Sequence, residues 1–258
     1  MLPKIIAAPM TGVSDAKLAI ACDRVGITGS ISIFMDVQDP IDNLERQLAE
    51  FSEARGHTNV IVSYGDLDRV FPAGSTQRQF DVLRKWKVKY LYQLNPKVNM
   101  PEDFVVIGRI GRDYIVFKTE HAAGSTHVKS VDLKYVIASA VVPVICSGGV
   151  YDKNDAQAYF DSGAHSVAVG TTLACSEESS IPLEVKQRMI ASTANHLSRF
   201  KSDNRLGLFI DNVHDSDYNH TNSLYRGLKG GNGHVYAGAA IDRINKLETV
   251  EEIAQRLL

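Results

Sequence analysis

The stretch Val144-Ile-Cys-Ser-Gly-Gly-Val150, followed about twenty residues later by Ser166-Val-Ala-Val-Gly-Thr-Thr172, decides how this sequence is read. Each half is a short apolar, β-branched run that ends in small residues. Small residues let backbone N–H groups approach an anion closely, and the hydroxyls of Ser147 and Thr171 add donors. A single Gly-Gly pair only turns the chain. Two successive strands with the same ending match the phosphate site that (β/α) barrels build after their seventh and eighth strands. The spacing therefore predicts a phosphate-bearing ligand at Ser147, Gly148, Gly149, Gly170 and Thr171.

Working outward, apolar runs recur at residues 5–9, 29–34, 59–64, 88–94, 104–110, 114–119, 141–146 and 166–169. They read as strands buried on both faces. Helical patterns fall at 15–25, 40–54, 76–86, 131–140 and 153–162, so strand and helix alternate as in a parallel sheet with helical crossovers. The expected fold is a single α/β domain over residues 1–258, a (β/α)8 TIM-like barrel. One region breaks the pattern. The runs at 104–110 and 114–119 are separated only by Gly111-Arg112-Asp113, too short for a helical crossover. The alternatives are a hairpin or a run that is not a barrel strand, and residues 95–103, with two prolines, read as loop. The barrel is expected to be abbreviated or irregular around 95–120.

After Val169 the sequence predicts a helix over 183–200, then a polar segment with Asp211, His214, Asp215, Asp217 and His220. Residues 173–240 read as a helix plus a lid-like extension. The Asp/His spacing fits no EF-hand or HExxH pattern, so no metal is expected. The last twelve residues form an amphipathic helix starting near Glu248 or Thr249.

The formal charge of −2, with basic residues scattered, excludes the concentrated positive field that nucleic acid or an anionic membrane requires. A small-molecule substrate is the expected partner. Cys22, Cys146 and Cys175 are far apart and odd in number, which points to reduced thiols rather than disulfides or structural zinc. The N-terminal apolar stretch is too short to span a membrane and lacks a signal-peptide layout. A cytoplasmic protein is expected.

Near the N-terminus, Ala8-Pro-Met-Thr-Gly-Val13 with Gly29-Ser-Ile31 joins Pro143-Val-Ile-Cys-Ser-Gly-Gly-Val-Tyr-Asp152, Asp155-Ala156, Gly163-Ala164, residues 167–172 and Ala174-Cys-Ser-Glu-Glu-Ser179. These segments, with Tyr236-Ala-Gly-Ala-Ala-Ile-Asp-Arg243, resemble the nitronate monooxygenase family, formerly 2-nitropropane dioxygenases, and the related FMN-dependent enoyl-ACP reductases. The resemblance implies an FMN-dependent oxidoreductase acting on a small nitronate or related substrate. It implies that Pro9, Met10 and Thr11 border the flavin ring and that Ser147, Gly148, Gly149, Gly170 and Thr171 hold the FMN phosphate. Lys118, with Glu120, would lie near the pyrimidine side of the flavin or the substrate, where a cation stabilises the anionic reduced ring. Molecular oxygen and NAD(P)H both remain open as reaction partners, as does a homo-oligomer.

The sequence departs from the family at the catalytic position. Members carry Glu-Ala-Gly-Gly-His or close variants, whereas this chain reads Glu120-His-Ala-Ala-Gly-Ser-Thr-His127. Ser125 stands where the histidine belongs, and His121 and His127 flank it as candidate bases. Two other readings compete. Phe117-Lys-Thr-Glu-His-Ala-Ala-Gly124 also resembles the Lys-Thr-x-x-Gly strand of deoxyribose-phosphate aldolases, in which Lys118 would form a Schiff base with a phosphorylated substrate. The third is a flavin-binding chain that has lost catalysis.

Overall fold

The computed structural model describes residues 2–34, 37–65, 67–93, 100–124, 131–199, 205–210, 220–231 and 233–258. Eight parallel strands form a nearly closed barrel: β1 (Ile5–Ala7), β2 (Ser30–Ile31), β3 (Ile61–Tyr64), β4 (Tyr90–Gln93), β5 (Val105–Gly108), β6 (Tyr114–Lys118), β7 (Val144–Ser147) and β8 (Ser166–Val169). Their order is β1-β8-β7-β6-β5-β4-β3-β2, and the two ends meet through an Ile6↔Thr28 bridge, with Ala7 N–H donating to Thr28 O at 2.8 Å. The (β/α)8 TIM-like barrel read from the alternation is therefore the fold.

Outside the strands lie α1 (Ala16–Arg24), α2 (Pro40–Arg55), α3 (Ser75–Lys85), α4 (Leu133–Ser139) and α5 (Lys153–Asp161). Their boundaries follow local chemistry. Asp15 and Asp39 accept from the first-turn amides of α1 and α2, Pro40 opens α2, and Asp152 and Asp155 form a reciprocal capping box on α5. Inside the barrel, Ile6, Ile61, Tyr90, Val116, Ile145 and Ala168 form one apolar cluster. Period-two alternation then puts the residues two further along each strand at the C-terminal mouth.

Residues 95–99 of the expected loop lie outside the described residues; from 100 to 120 the barrel is irregular, though neither a hairpin nor a missing strand explains it. β5 and β6 are parallel neighbours, with Ile107 beside Tyr114 and Gly108 beside Ile115. β6 thus starts level with the end of β5 and carries on toward the mouth. The chain steps sideways instead of returning the length of a strand, so no helical crossover is needed. Asp113 holds the step, its N–H donating to Val106 O at 3.1 Å and its carboxylate accepting from Val106 N–H at 2.7 Å. Gly111 has no room for a side chain, since a Cβ would lie 2.1 Å from Tyr114 O and 2.6 Å from Gly108 N. Gly111→Ala is expected to cost about 3 kcal/mol of stability. A denaturant midpoint unchanged from wild type would show that the turn relaxes freely.

Beyond β8 come α6 (Thr171–Ala174), α7 (Leu183–Ile190), β9 (Leu197–Arg199), β10 (Leu206–Ile210), α8 (His220–Leu228), β11 (Gly233–Val235) and α9 (Val250–Leu257). The helix expected over 183–200 is corrected: it ends at Ile190. Ser192 Oγ bonds back to Arg188 O at 2.7 Å, a local competitor to helix, and residues 197–199 pair with β10 instead. β9, β10 and β11 form an antiparallel sheet against which α8 packs. α9 starts at Thr249, whose capping box with Glu252 is complete, and buries Val250, Ile253, Ala254 and Leu257. Asp211, His214, Asp215 and Asp217 lie outside the described residues. No described helix is long and apolar enough to cross a membrane. The three cysteines are free and buried.

Candidate active site

The C-terminal mouth of the barrel opens into a cavity of about 470 Å³. Parallel register sets Lys118 beside Ser147 and Ser147 beside Ala168, so the last inward positions of β6, β7 and β8 form one row along its wall. Pro9, Met10 and Thr11, from the turn after β1, line it, and so do Gly148, Gly149, Gly170 and Thr171 after β7 and β8. The nine residues expected to contact a cofactor are thus brought together at one cavity from four strand ends. His121 lines it as well, its Nε2 3.7 Å from Glu120 Oε1. Ser125 and His127 lie outside the described residues.

The glycine turn after β7 has the build of an anion cradle. Gly148 has φ +135°, and a Cβ there would sit 2.2 Å from Thr119 Oγ1 and 2.9 Å from Ala122 N. Gly149 has φ +69°. The amide N–H groups of Gly148, Gly149, Gly170 and Thr171 find no acceptor among the described residues. Unpaired donors at a cavity wall are costly unless water or a ligand completes them, and four of them suit a phosphate. The Thr171 hydroxyl accepts from Gly238 N–H at 3.0 Å, leaving its hydrogen available to donate.

The charge in the lining is one-sided. Arg109, Lys118 and Arg205 face the cavity, and no Asp or Glu does among the described residues. Lys118 Nζ donates to Ala123 O at 2.5 Å. Burial, reinforced by Arg109 and Arg205, lowers its pKa to about 8. Tyr92 lines the same wall, its phenol pushed up to about 12 by burial, so it stays protonated. No group of three or more His, Cys, Asp or Glu among the described residues is placed to hold a metal.

The extension roofs this cavity. Leu224 and Leu228 of α8 and Tyr236 after β11 line it from above, and Arg205 Nη1 donates to Tyr236 Oη at 2.9 Å. Gly124 exchanges both backbone hydrogen bonds with Leu206, at 2.8 and 3.0 Å, and Ala239 N–H donates to His121 O at 2.9 Å. The segment after β6 is therefore held between barrel and roof. Sequence reasoning missed Tyr92, Arg109, Arg205 and the roof. Arg109 carried a signal, since it falls near the C-terminal end of the run at 104–110 and residues at C-terminal strand ends of such barrels face the site. Arg205 carried none, because only the return of β10 over the mouth brings it there.

Fold and cavity together define a (β/α)8 barrel with a cationic mouth. The nitronate monooxygenase family model matches residues 106–258, and the chain belongs to that family of FMN-dependent oxidoreductases. No curated protein matches the chain. Among solved structures, FabK from Thermotoga maritima superposes with a TM-score of 0.79 at 20% identity, covering 98% of this chain and 90% of that one. A nitroalkane oxidase from Streptomyces ansochromogenes gives 0.74 at 16%, covering 98% and 94%. The enoyl reductase domain of MlnA from Bacillus amyloliquefaciens gives 0.65 at 12%, covering 97% and 92%. At these identities the likeness is one of fold.

Proposed function

We propose that this chain uses FMN to oxidise a small anionic substrate of the nitronate type. The observation that carries the reading is a cavity with three cationic side chains and no carboxylate in its described lining, beside a cradle of unpaired amides. The cradle residues Ser147, Gly148, Gly149, Gly170 and Thr171 would hold the phosphate, and Pro9, Met10 and Thr11 would border the ring. FMN supplies the two-electron acceptor when bound. Lys118 would balance negative charge beside it, and Arg109 and Arg205 would bind the substrate anion, Arg109 having no described partner to give up. His121, the one imidazole in the described lining, would take or return the substrate proton in place of the histidine that Ser125 replaces, with His127 as the alternative. Residues 173–240 would act as the lid of a single domain spanning 1–258, excluding water from the mouth. Molecular oxygen would reoxidise the reduced flavin, whereas NAD(P)H, itself a two-electron donor, could only take the place of the nitronate as the reductant of FMN. Three buried free thiols suit a reducing, cytoplasmic setting.

The test is purification followed by anaerobic mixing. A yellow protein whose flavin bleaches with propionate 3-nitronate is expected, and a chain that takes up no FMN sinks the reading. Bleaching by NADH alone would move the chain to the reductase branch. Arg109→Ala is expected to raise KM for the anion about tenfold or more without lowering the melting temperature. One feature favours a second reading: Lys118 faces the cavity with its amine buried, and burial lowers its pKa to about 8, so that enough of it is unprotonated to attack a carbonyl. Borohydride trapping of a phosphorylated aldehyde on Lys118 would support it.

A further inference from the structure

The peptide joining Gly148 to Gly149 is where the cradle meets the outer layer of the barrel. Tyr159, on α5, donates its hydroxyl hydrogen to Gly148 O at 2.7 Å. Its oxygen also lies 3.3 Å from Thr119 Oγ1, which in turn reaches Ser147 O at 3.4 Å. The Tyr159 ring packs with the outward-facing side chains of β6 and β7, around Phe117 and Cys146. The hydroxyl therefore holds the Gly148 carbonyl away from the barrel axis. In a trans peptide the C=O and the following N–H point in opposite directions, and the described chain contains no cis peptide. Gly149 N–H is thereby directed toward the cavity that Gly149 lines, where no described residue accepts from it.

We propose that Tyr159 is a positioning residue for the flavin phosphate: by fixing Gly148 O outside the barrel it aims Gly149 N–H at the anion inside. The inference rests on the phosphate placement given under Proposed function. Tyr159 touches no ligand itself. Burial raises its pKa, so the phenol remains a donor across the neutral range. Thr119 supports the arrangement from the side, and Gly148 must lack a side chain because Thr119 Oγ1 occupies that space.

The inference separates FMN from riboflavin, which shares the ring and ribityl chain and lacks the phosphate. For apoprotein titrated by flavin fluorescence quenching, Tyr159→Phe keeps the ring and removes the hydroxyl. Its Kd for FMN is expected to rise about tenfold, one charge-assisted hydrogen bond's worth, while its Kd for riboflavin stays at the wild-type value. Thr119→Val is expected to reduce the FMN-to-riboflavin preference in the same direction by a few-fold, and it serves where Tyr159→Phe does not fold. Equal weakening of both ligands would mean that Tyr159 merely packs, and an unchanged preference would mean that the cradle needs no anchor; either overturns the inference alone. A wild-type chain that binds FMN no more tightly than riboflavin overturns the phosphate placement and the inference together.

Discussion

Gly148→Ala is expected to give a folded protein that loses its flavin on purification. Gly148 has φ +135°, a conformation open to glycine and strained for an L side chain. The added methyl would also sit 2.2 Å from Thr119 Oγ1 and 2.9 Å from Ala122 N. Thr119 can turn, but the Ala122 amide is backbone, tied to Thr119 O at 3.1 Å, and must move with its loop. Backbone strain and displacement together should cost about 2–4 kcal/mol, and part of that cost reappears as a misplaced cradle. The Kd for FMN should rise at least about a hundredfold. Flavin content and a melting curve check both halves, and full retention of FMN would show that the turn tolerates a side chain and is no cradle.

Removing the Lys118 charge should move stability and binding in opposite directions. Its amine titrates at about 8, against an ordinary value of 10.5. A lysine whose folded pKa is depressed binds fewer protons folded than unfolded between those values, so stability rises with pH across that window. Below about pH 8 the burial of the ammonium costs its full amount, on the order of 3 kcal/mol, and the cost fades to nothing only above about pH 11, once the unfolded lysine has also lost its proton. Lys118→Met leaves Ala123 O without its 2.5 Å donor, which offsets part of the gain. The apoprotein variant should therefore be about 1–2 kcal/mol more stable than wild type at pH 6–7, with the advantage gone by about pH 10. Binding moves the other way: an anion beside Lys118 favours the ammonium, so FMN uptake near pH 8 should draw a proton from buffer, and Lys118→Met should weaken FMN at least tenfold. Titration calorimetry in buffers of different ionisation enthalpy reads the proton. A variant with wild-type FMN affinity and no change in proton uptake would remove Lys118 from the site.

The eight barrel strands were legible because each is a short apolar run, and the starts of α1, α2, α4 and α5 carry capping aspartates. The step from β5 to β6 was not. A short connection excludes a full crossover, but stagger between parallel strands is invisible in a linear pattern, and the pairing of Ile107 with Tyr114 is a tertiary fact. The end of α7 was missed for a related reason. Residues 191–200 carry enough apolar character for a helix, and the claim of β10 on residues 197–199 comes from a partner that follows several residues later.

For the site, the sequence by itself determined the glycine turn after β7 and the row beside it, because strand periodicity and small residues place backbone amides and the Lys118 and Ser147 side chains without help from distant chain. What only the tertiary structure decided is the sign and enclosure of the cavity. Arg205 and Tyr236 gain their places from the sheet of β9, β10 and β11, and Leu224 and Leu228 from α8. The physical reason is distance along the chain: local rules fix which way a strand residue points, whereas electrostatic character and exclusion of water depend on segments that meet only after the barrel has closed.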